Sequence, residues 1–349
     1  MKKKSILFIG NHFNNQKGFH YIFDELILRL NQKGWRTYKS SKYRIKVFRL
    51  IDMLWSILTK VDQYQVAEVD VFSGAAFFWA EQSTKLLHLL GKPIILTLHG
   101  GNLPEFSTKN NHRIRLILEL ATNVVTPSRY LYSQFKEIRP DIRIIPNPVE
   151  ISQYVYHQRT YPAPHLVWVR AFHEIYNPSL APYVVNKLKD AWPEIQLTMI
   201  GPDKGDGSLG RMIKIAEKFQ TRDRIILPGR VPRNEVPDWL NKNDIFINTT
   251  NVDNTPVSVI EAMACGLCIV STNVGGLPFL LDDGLDALLV PPNDPNAMAN
   301  AIEEILTSPS LANKLSMNAR RKAERFSWDE IYPQWENLLL ETNGTFLRK

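Results

Sequence analysis

The sequence predicts an α/β protein of two doubly wound domains in tandem, and three observations predict it. Short apolar runs alternate with helix-period stretches along the chain, the pattern of a mostly parallel sheet covered on both faces. The alternation stops over residues 150–164, which are rich in Tyr, Gln and His, lack periodicity and read as the linker, and it then restarts. At 349 residues and 44% hydrophobic, the chain also exceeds the size that one core usually serves.

Residues 5–9 read as the first strand, followed by a polar loop over 11–17. A helix over 19–33 sets Ile22, Leu26 and Leu30 on one face and ends at Gly34. Residues 42–57 are ambiguous and 64–67 read as loop. A strand over 69–73 leads into a helix over 76–90 that Gly91 stops. The run 94–98 is a strand ending in His99-Gly100-Gly101, and 111–121 is a helix. Residues 123–126 form a short strand, 128–137 a helix with Ser128 as its hydroxyl cap, and 143–145 the last strand before Pro146-Asn147-Pro148.

In the second half, strands are predicted over 166–169, 196–200, 225–227, 245–247 and 268–271, with 288–290 as a further one. Helices fall over 179–191, 209–219, 234–240 and 256–264, then 295–306, 310–325 and 328–340. Ligands of such sheets sit outside the carboxyl ends of the strands, so two facing domains are expected to make a cleft.

Composition narrows the function. No apolar run reaches 18 residues, and the MKKK start leads into a five-residue strand, so a secretory precursor or a spanning protein is not expected. The two cysteines, Cys265 and Cys268, lack the further ligands a zinc site needs and read as buried free thiols. Residues 1–160 carry 23 Lys and Arg against 12 Asp and Glu, whereas residues 161–349 carry 19 against 23. A basic first half suits an anionic partner: nucleic acid, a phospholipid surface or a lipid-diphosphate acceptor. No zinc finger, helix-turn-helix cue or arginine-glycine tract supports nucleic acid. The Gly10 to Gly18 loop is too irregular for a dinucleotide turn, and no Gly-x-Ser-x-Gly is present.

The candidate chemistry lies at strand ends. Residues 248–276, NTTNVDNTPVSVIEAMACGLCIVSTNVGG, read as strand, turn, helix, strand and glycine turn. Asp253 and Glu261 bracket a polar turn, in which Asn254 and Thr255 are expected to cap the helix and Pro256 to open it. Its first-turn amides at Val257 and Ser258 lack internal partners and suit an anion. Arg170 ends an apolar run, and its fork suits a phosphate or a structural carboxylate. Lys204, in the Gly201-Pro202-Asp203-Lys204 loop, is a mobile point charge or a solvated residue. Glu261, in an otherwise apolar helix, needs a hydrogen-bonding partner, a sugar hydroxyl or a protein group. His99 is placed at the rim of the first sheet as a functional or a capping residue, and His12 and His173 read as structural.

With these residues in view, the chain resembles the retaining glycosyltransferases of family 4 and the GT-B fold, over nearly its whole length. The carriers are Asp253 and Glu261 with NTPVSVI between them, followed by AMACG, then STNVGGL, GLDALLVP and the helix from Pro295 through Met298, Ala299, Ala301 and Ile302. The resemblance implies two Rossmann-like domains, 1–155 for the acceptor and 160–327 for the donor, with 328–349 crossing back to the first. It also implies that Glu261 holds ribose hydroxyls and that Asp253 touches the transferred sugar. Thr255, Pro256, Val257 and Ser258 would face the sugar or diphosphate, Arg170 the phosphates, and His99 the reacting sugar. Gly201 stands at the family's glycine turn, and Arg230 and Val231 are expected beside the base.

Four departures from the family pattern stand out. Asp253 replaces a glutamate, and Asn254-Thr255-Pro256 replaces Gly-Phe-Gly. Ile175 stands where a lysine is usual, and Lys204 is expected to supply that charge. The loop after the first strand offers Asn14-Asn15-Gln16-Lys17-Gly18 in place of a Gly-Gly pair.

The expected function is transfer of a sugar, with retention, from a nucleoside diphosphate sugar to a hydroxyl of a cell-surface glycan or lipid-linked acceptor. A UDP-sugar is favoured over GDP- or ADP-sugars, with no metal required. The alternatives are a nucleotide-sugar epimerase of the same fold and a non-catalytic sugar- or phosphate-binding module. A cytoplasmic protein with peripheral contact at an anionic membrane through its basic first domain is expected, with no nucleic-acid partner.

Overall fold

The computed structural model describes residues 4–10, 22–40, 43 and 45–346. The expected 11–17 loop, with Asn14 to Gly18 and His12, and the first residues of the 19–33 helix lie outside them. The chain forms two compact units, Met1–Asn147 joined by Asp329–Lys349, and Pro148–Trp328.

The first unit runs β1 (Ser5–Ile9), α1 (Ile22–Gln32), β2 (Arg36–Ser40), α2 (Lys46–Thr59), β3 (Val66–Val71), α3 (Ala75–Leu89), β4 (Ile94–Leu98), α4 (Leu103–Lys109), α5 (Asn111–Leu120), β5 (Asn123–Thr126), α6 (Arg129–Phe135) and β6 (Arg143–Ile144). Its parallel sheet has the order β2-β1-β3-β4-β5-β6, so the winding reverses between β1 and β3. Ser128 caps α6 as expected, its hydroxyl accepting from the Leu131 amide at 3.1 Å.

Three elements of this unit were not anticipated: β2, α2 and the short α4. β2, RTYKS, is an edge strand whose residues are mostly exposed or half-buried, so it lacks the apolar run that marks a buried strand. The ambiguous stretch resolves into α2, whose Met53 and Ile57 enter the core. The residues expected as loop over 64–67 include the start of β3, with Tyr64 buried beside it.

The second unit runs β7 (His165–Val169), α7 (Leu180–Leu188), β8 (Gln196–Ile200), α8 (Ser208–Lys218), β9 (Ile225–Gly229), α9 (Val236–Asn241), β10 (Ile245–Asn248), α10 (Val257–Ala264), β11 (Cys268–Thr272), α11 (Leu277–Leu280), β12 (Leu288–Val290), α12 (Pro295–Thr307) and α13 (Pro309–Glu324). Its parallel sheet, ordered β12-β11-β10-β7-β8-β9, reverses between β7 and β10. Apolar side chains form separate clusters on its two faces. Both cysteines are free and buried there, and burial pushes each thiol up to about 12.

The aperiodic segment after residue 150 is built into the second unit. Tyr154 is buried in it, and Arg159 donates to the carbonyls of His157, Asn243 and Cys265 while pairing with Asp244 at 3.2 Å. A nearly buried guanidinium held by three carbonyls and a carboxylate makes this segment part of the packed unit rather than the linker expected from its composition.

The final helix, α14 (Trp328–Phe346), belongs almost entirely to the first unit. Trp335 meets Phe23 edge to face at 5.6 Å, and Asn123 Nδ2 donates to the Thr342 hydroxyl at 2.9 Å. The crossing back of this helix is as the sequence leads one to expect.

Glu68 on β3 is fully buried, and its carboxyl is pushed well above its ordinary 4.5 by desolvation and by neighbouring Asp70, against a hydrogen bond from Thr97. A carboxyl raised by folding stabilises the fold at acidic pH, and that contribution is lost as pH rises from the ordinary carboxylate range through the folded value. Glu68→Gln is therefore expected to melt a few degrees above wild type at about pH 7 and together with it at about pH 4. Thermal melts of both proteins across that range check this, and a variant less stable at the higher pH would contradict it.

Candidate active site at the second switch point

Where a doubly wound sheet reverses, the loops leaving the two central strands diverge to opposite faces and leave room at the strand ends. In the second unit those strands are β7 and β10. Arg170 leaves β7, and residues 249–256 leave β10.

The loop after β10 is fixed by polar side chains. Asn248 Nδ2 donates to the Ser271 hydroxyl at 3.0 Å, Trp168 Nε1 to the Thr249 hydroxyl at 2.9 Å, and the Thr249 hydroxyl to the Tyr176 carbonyl at 2.7 Å. The Asn251 amide donates to the Ile175 carbonyl at 2.8 Å. Behind this loop, the Gly276 amide donates to the Asp253 carbonyl at 3.0 Å. A Cβ on Gly276 would fall 1.8 Å from the Asn254 carbonyl oxygen, so only glycine lets the two loops meet.

Arg170 and Asp253 form an ion pair with both side chains largely buried. The guanidinium also lies over the Tyr176 ring at 4.9 Å, and its Nε is buried without a hydrogen-bond acceptor. The expected alternatives for Arg170 thus meet in one place: it has a carboxylate partner and retains donor capacity.

α10 opens differently from expectation. Pro256 is its N-cap residue in extended conformation, with no side-chain cap, so Asn254 and Thr255 do not cap the helix. Asp253 Oδ1 instead accepts from the Asn254 amide at 2.8 Å. The reason is that Pro256 itself takes the cap position in an extended conformation, and its ring has no acceptor to offer the first-turn amides. Among the described residues nothing accepts from the amides of Val257 and Ser258, and the Ser258 hydroxyl is buried without a partner. Thr255 is half-buried beside them.

Glu261 lies one turn further along α10 and is buried. Its Oε1 accepts from the Tyr154 hydroxyl at 2.8 Å and pairs with Arg233 Nη2 at 3.3 Å. Desolvation raises its carboxyl, while Arg233, Tyr154 and Arg170 pull the other way. Tyr154 and Arg233 were missed in the sequence. A buried carboxylate demands donors, but nothing local says which residues, 107 positions away for the tyrosine, supply them.

The loop after β8 lies against the end of β7. The Phe172 amide donates to the Pro202 carbonyl at 2.9 Å, and the Lys204 amide to the Phe172 carbonyl at 3.1 Å. This sets Lys204 beside the strand end that carries Arg170, with an exposed side chain that makes no ion pair among the described residues. Ile175, at the position of the usual lysine, gives its carbonyl to the β10 loop. Val231 packs on the core and Arg230 is exposed after β9.

Gly201 closes this corner. Its φ is +152°, and a Cβ there would stand 1.7 Å from the Arg170 carbonyl oxygen. Gly201→Ala is expected to destabilise the protein by about 2–4 kcal/mol, because a backbone atom must move. Gly205→Ala, in the same loop with open space around it, should cost about 1 kcal/mol from its positive φ alone. Chemical denaturation of both variants checks this, and equal losses would contradict the contact.

His99 belongs to the first unit, where it follows β4. Its Nε2 is 2.7 Å from Asp70 Oδ1, and its ring stacks on Phe72 at 4.8 Å. The carboxylate and the stacked ring hold the imidazole in one orientation. Among the described residues no group of three His, Cys, Asp or Glu could hold a metal ion.

Two doubly wound units in one chain, with the last helix returned to the first, define a GT-B-fold protein. Family models agree on both: residues 163–322 match "Glycosyl transferases group 1" and residues 19–153 match "Glycosyltransferase Family 4". The chain belongs to glycosyltransferase family 4. It is 28% identical over 159 residues to a D-inositol 3-phosphate glycosyltransferase of Streptomyces bingchenggensis, a match covering 44% of this chain and 35% of the relative. The chain therefore spans about a third of that relative's length.

Among solved structures, sucrose-phosphate synthase from Thermosynechococcus elongatus superposes with a TM-score of 0.83 at 18% identity, over 98% of this chain and 100% of that one. HepE of Anabaena, solved with UDP and glucose, gives 0.76 at 15% identity over 97% and 100%. At these identities the likeness establishes the fold.

Proposed function

We propose that the protein transfers a sugar, with retention of anomeric configuration, from a nucleoside diphosphate sugar to a hydroxyl of a glycan or lipid-linked acceptor. The observation that carries this reading is the gathering of Arg170, the free first-turn amides of α10 and buried Glu261 at one switch point.

In this reading the second unit holds the donor and the first unit the acceptor. Glu261 binds the ribose: Tyr154 and Arg233 occupy one carboxylate oxygen, and a carboxylate has lone pairs to spare for a diol. Arg170, Lys204 and the amides of Val257 and Ser258 take the diphosphate, whose charge grows as the glycosidic bond breaks. Arg170 can turn from Asp253 to phosphate, and Asp253 is then free to accept a hydroxyl of the transferred sugar. Thr255, Pro256 and Ser258 line the sugar, while Gly201, Arg230 and Val231 border the nucleotide. His99 orients the reacting sugar, its ring fixed by Asp70. These groups supply positive charge and donors without a metal. UDP is the favoured nucleotide, in line with the UDP bound to HepE.

No described helix is long and apolar enough to cross a membrane. A lipid-linked acceptor would be met peripherally, with the basic first domain attracted to the anionic face of a membrane. Cytoplasmic placement at its inner face accords with that.

The test is a panel of nucleoside diphosphates and their sugars in thermal-shift assays, followed by product analysis with saccharide and lipid-linked acceptors. Stabilisation by a UDP-sugar and an acceptor-dependent product are expected. Absence of any stabilisation would sink the donor site. An altered free sugar formed from donor alone, with no transfer, would favour an epimerase.

A further inference from the structure

α2 is apolar on both sides. Met53 and Ile57 face the core of the first unit. Val47, Phe48, Ile51, Trp55 and Leu58 face away from it and are 66%, 53%, 55%, 66% and 47% exposed. At about 100° per residue these five side chains fall within one stripe about 100° wide. No charged residue interrupts it. Tyr43 extends the stripe, its ring 6.3 Å from that of Phe48. An exposed patch of this kind, two aromatics and three aliphatics together, marks an interaction surface.

The charge in the adjoining sequence says what covers it. Lys42, Arg44 and Lys46 immediately precede or open the helix, and no acidic residue occurs over 40–51. Basic residues flanking a stripe of Trp, Phe, Ile, Leu and Val are the composition of a helix that lies in a lipid interface, where the cations meet anionic headgroups and the aromatics sit at the boundary. With 14 residues, α2 is about 21 Å long, too short to cross a bilayer core of about 30 Å. The stripe carries no charged side chain, and the polar atoms it does offer, the Trp55 indole N–H and the Tyr43 hydroxyl, belong to the amphipathic rings that sit at the headgroup level.

We infer that α2 seats the first unit on an anionic lipid surface, its outer stripe entering the boundary between headgroups and acyl chains. This rests on the peripheral-contact reading given above and names the element that performs it.

The test is co-sedimentation of the full chain with phosphatidylcholine vesicles, with and without phosphatidylglycerol. Wild type is expected to pellet with the anionic vesicles. The pair Phe48→Glu and Trp55→Glu is expected to weaken that binding about tenfold or more, with an unchanged melting temperature. Leu89→Glu, at an 81% exposed position on α3, should bind as wild type does. Should the glutamates disturb folding, serine at both positions serves the same comparison. Wild-type binding by the folded double variant would overturn the role of α2 and leave charge attraction standing. Failure of wild type to bind either vesicle would overturn both. A wild-type oligomer that the double variant dissolves, with vesicle binding unchanged, would make the stripe a protein interface and also overturn the inference.

Discussion

Arg170→Ala is expected to lower kcat/KM by about 10³ and to abolish stabilisation by a nucleoside diphosphate. The guanidinium ends β7 at the switch point, with its plane set by Tyr176 and its position by Asp253. Once turned from Asp253 to the bound diphosphate, the guanidinium is in place before charge builds on the leaving group, which is why one such donor is worth about 3–4 kcal/mol in a transition state. Arg170→Lys should recover only part of the loss, because a lysine keeps the charge and loses the fork. Steady-state kinetics of the two variants with donor varied would check the order. Alanine with wild-type kcat/KM would remove the diphosphate from this corner of the sheet.

Glu261→Gln is expected to raise the KM for donor about 10- to 100-fold with little change in melting temperature. Glutamine still accepts from Tyr154, so the fold keeps its hydrogen bond. What it loses is the charged acceptor for a ribose diol. The sharper readout is discrimination: wild type should favour a ribonucleoside diphosphate over its 2′,3′-dideoxy form by about tenfold or more, and in the variant that ratio should approach one. Isothermal titration with the two diphosphates measures it. An unchanged ratio would assign Glu261 to packing alone, as the partner of Tyr154 and Arg233.

Much of this architecture is legible in the chain because buried parallel strands are continuous apolar runs. ILTL before His99 and LVWV before Arg170 need no context to be read. β2 was illegible for the opposite reason: on an edge, RTYKS has no second face to bury. α4 was missed because it is short, and the Pro104 in its first turn reads as a break rather than a start. The opening of α10 was misjudged because Asn, Thr and Pro each favour a helix start, and local preference does not say which residue takes the cap.

The site divides in the same way. Glu261, Asp253 and Arg170 could be singled out one at a time, from a carboxylate in an apolar helix, an acidic turn and a cation ending a strand. That Arg170 and Asp253 touch, 83 residues apart, follows from β10 pairing with β7.

The sequence by itself therefore determined the buried strands, the longer periodic helices and the chemistry parked at their ends, because periodicity and turn residues act over a few positions. Tertiary structure alone decided which ends meet. Strand order in a parallel sheet is set by crossover helices packing across long loops, and no local preference encodes it. The same holds for α2: its residues read as ambiguous, and only the packed fold shows a helix with five apolar side chains left facing outward.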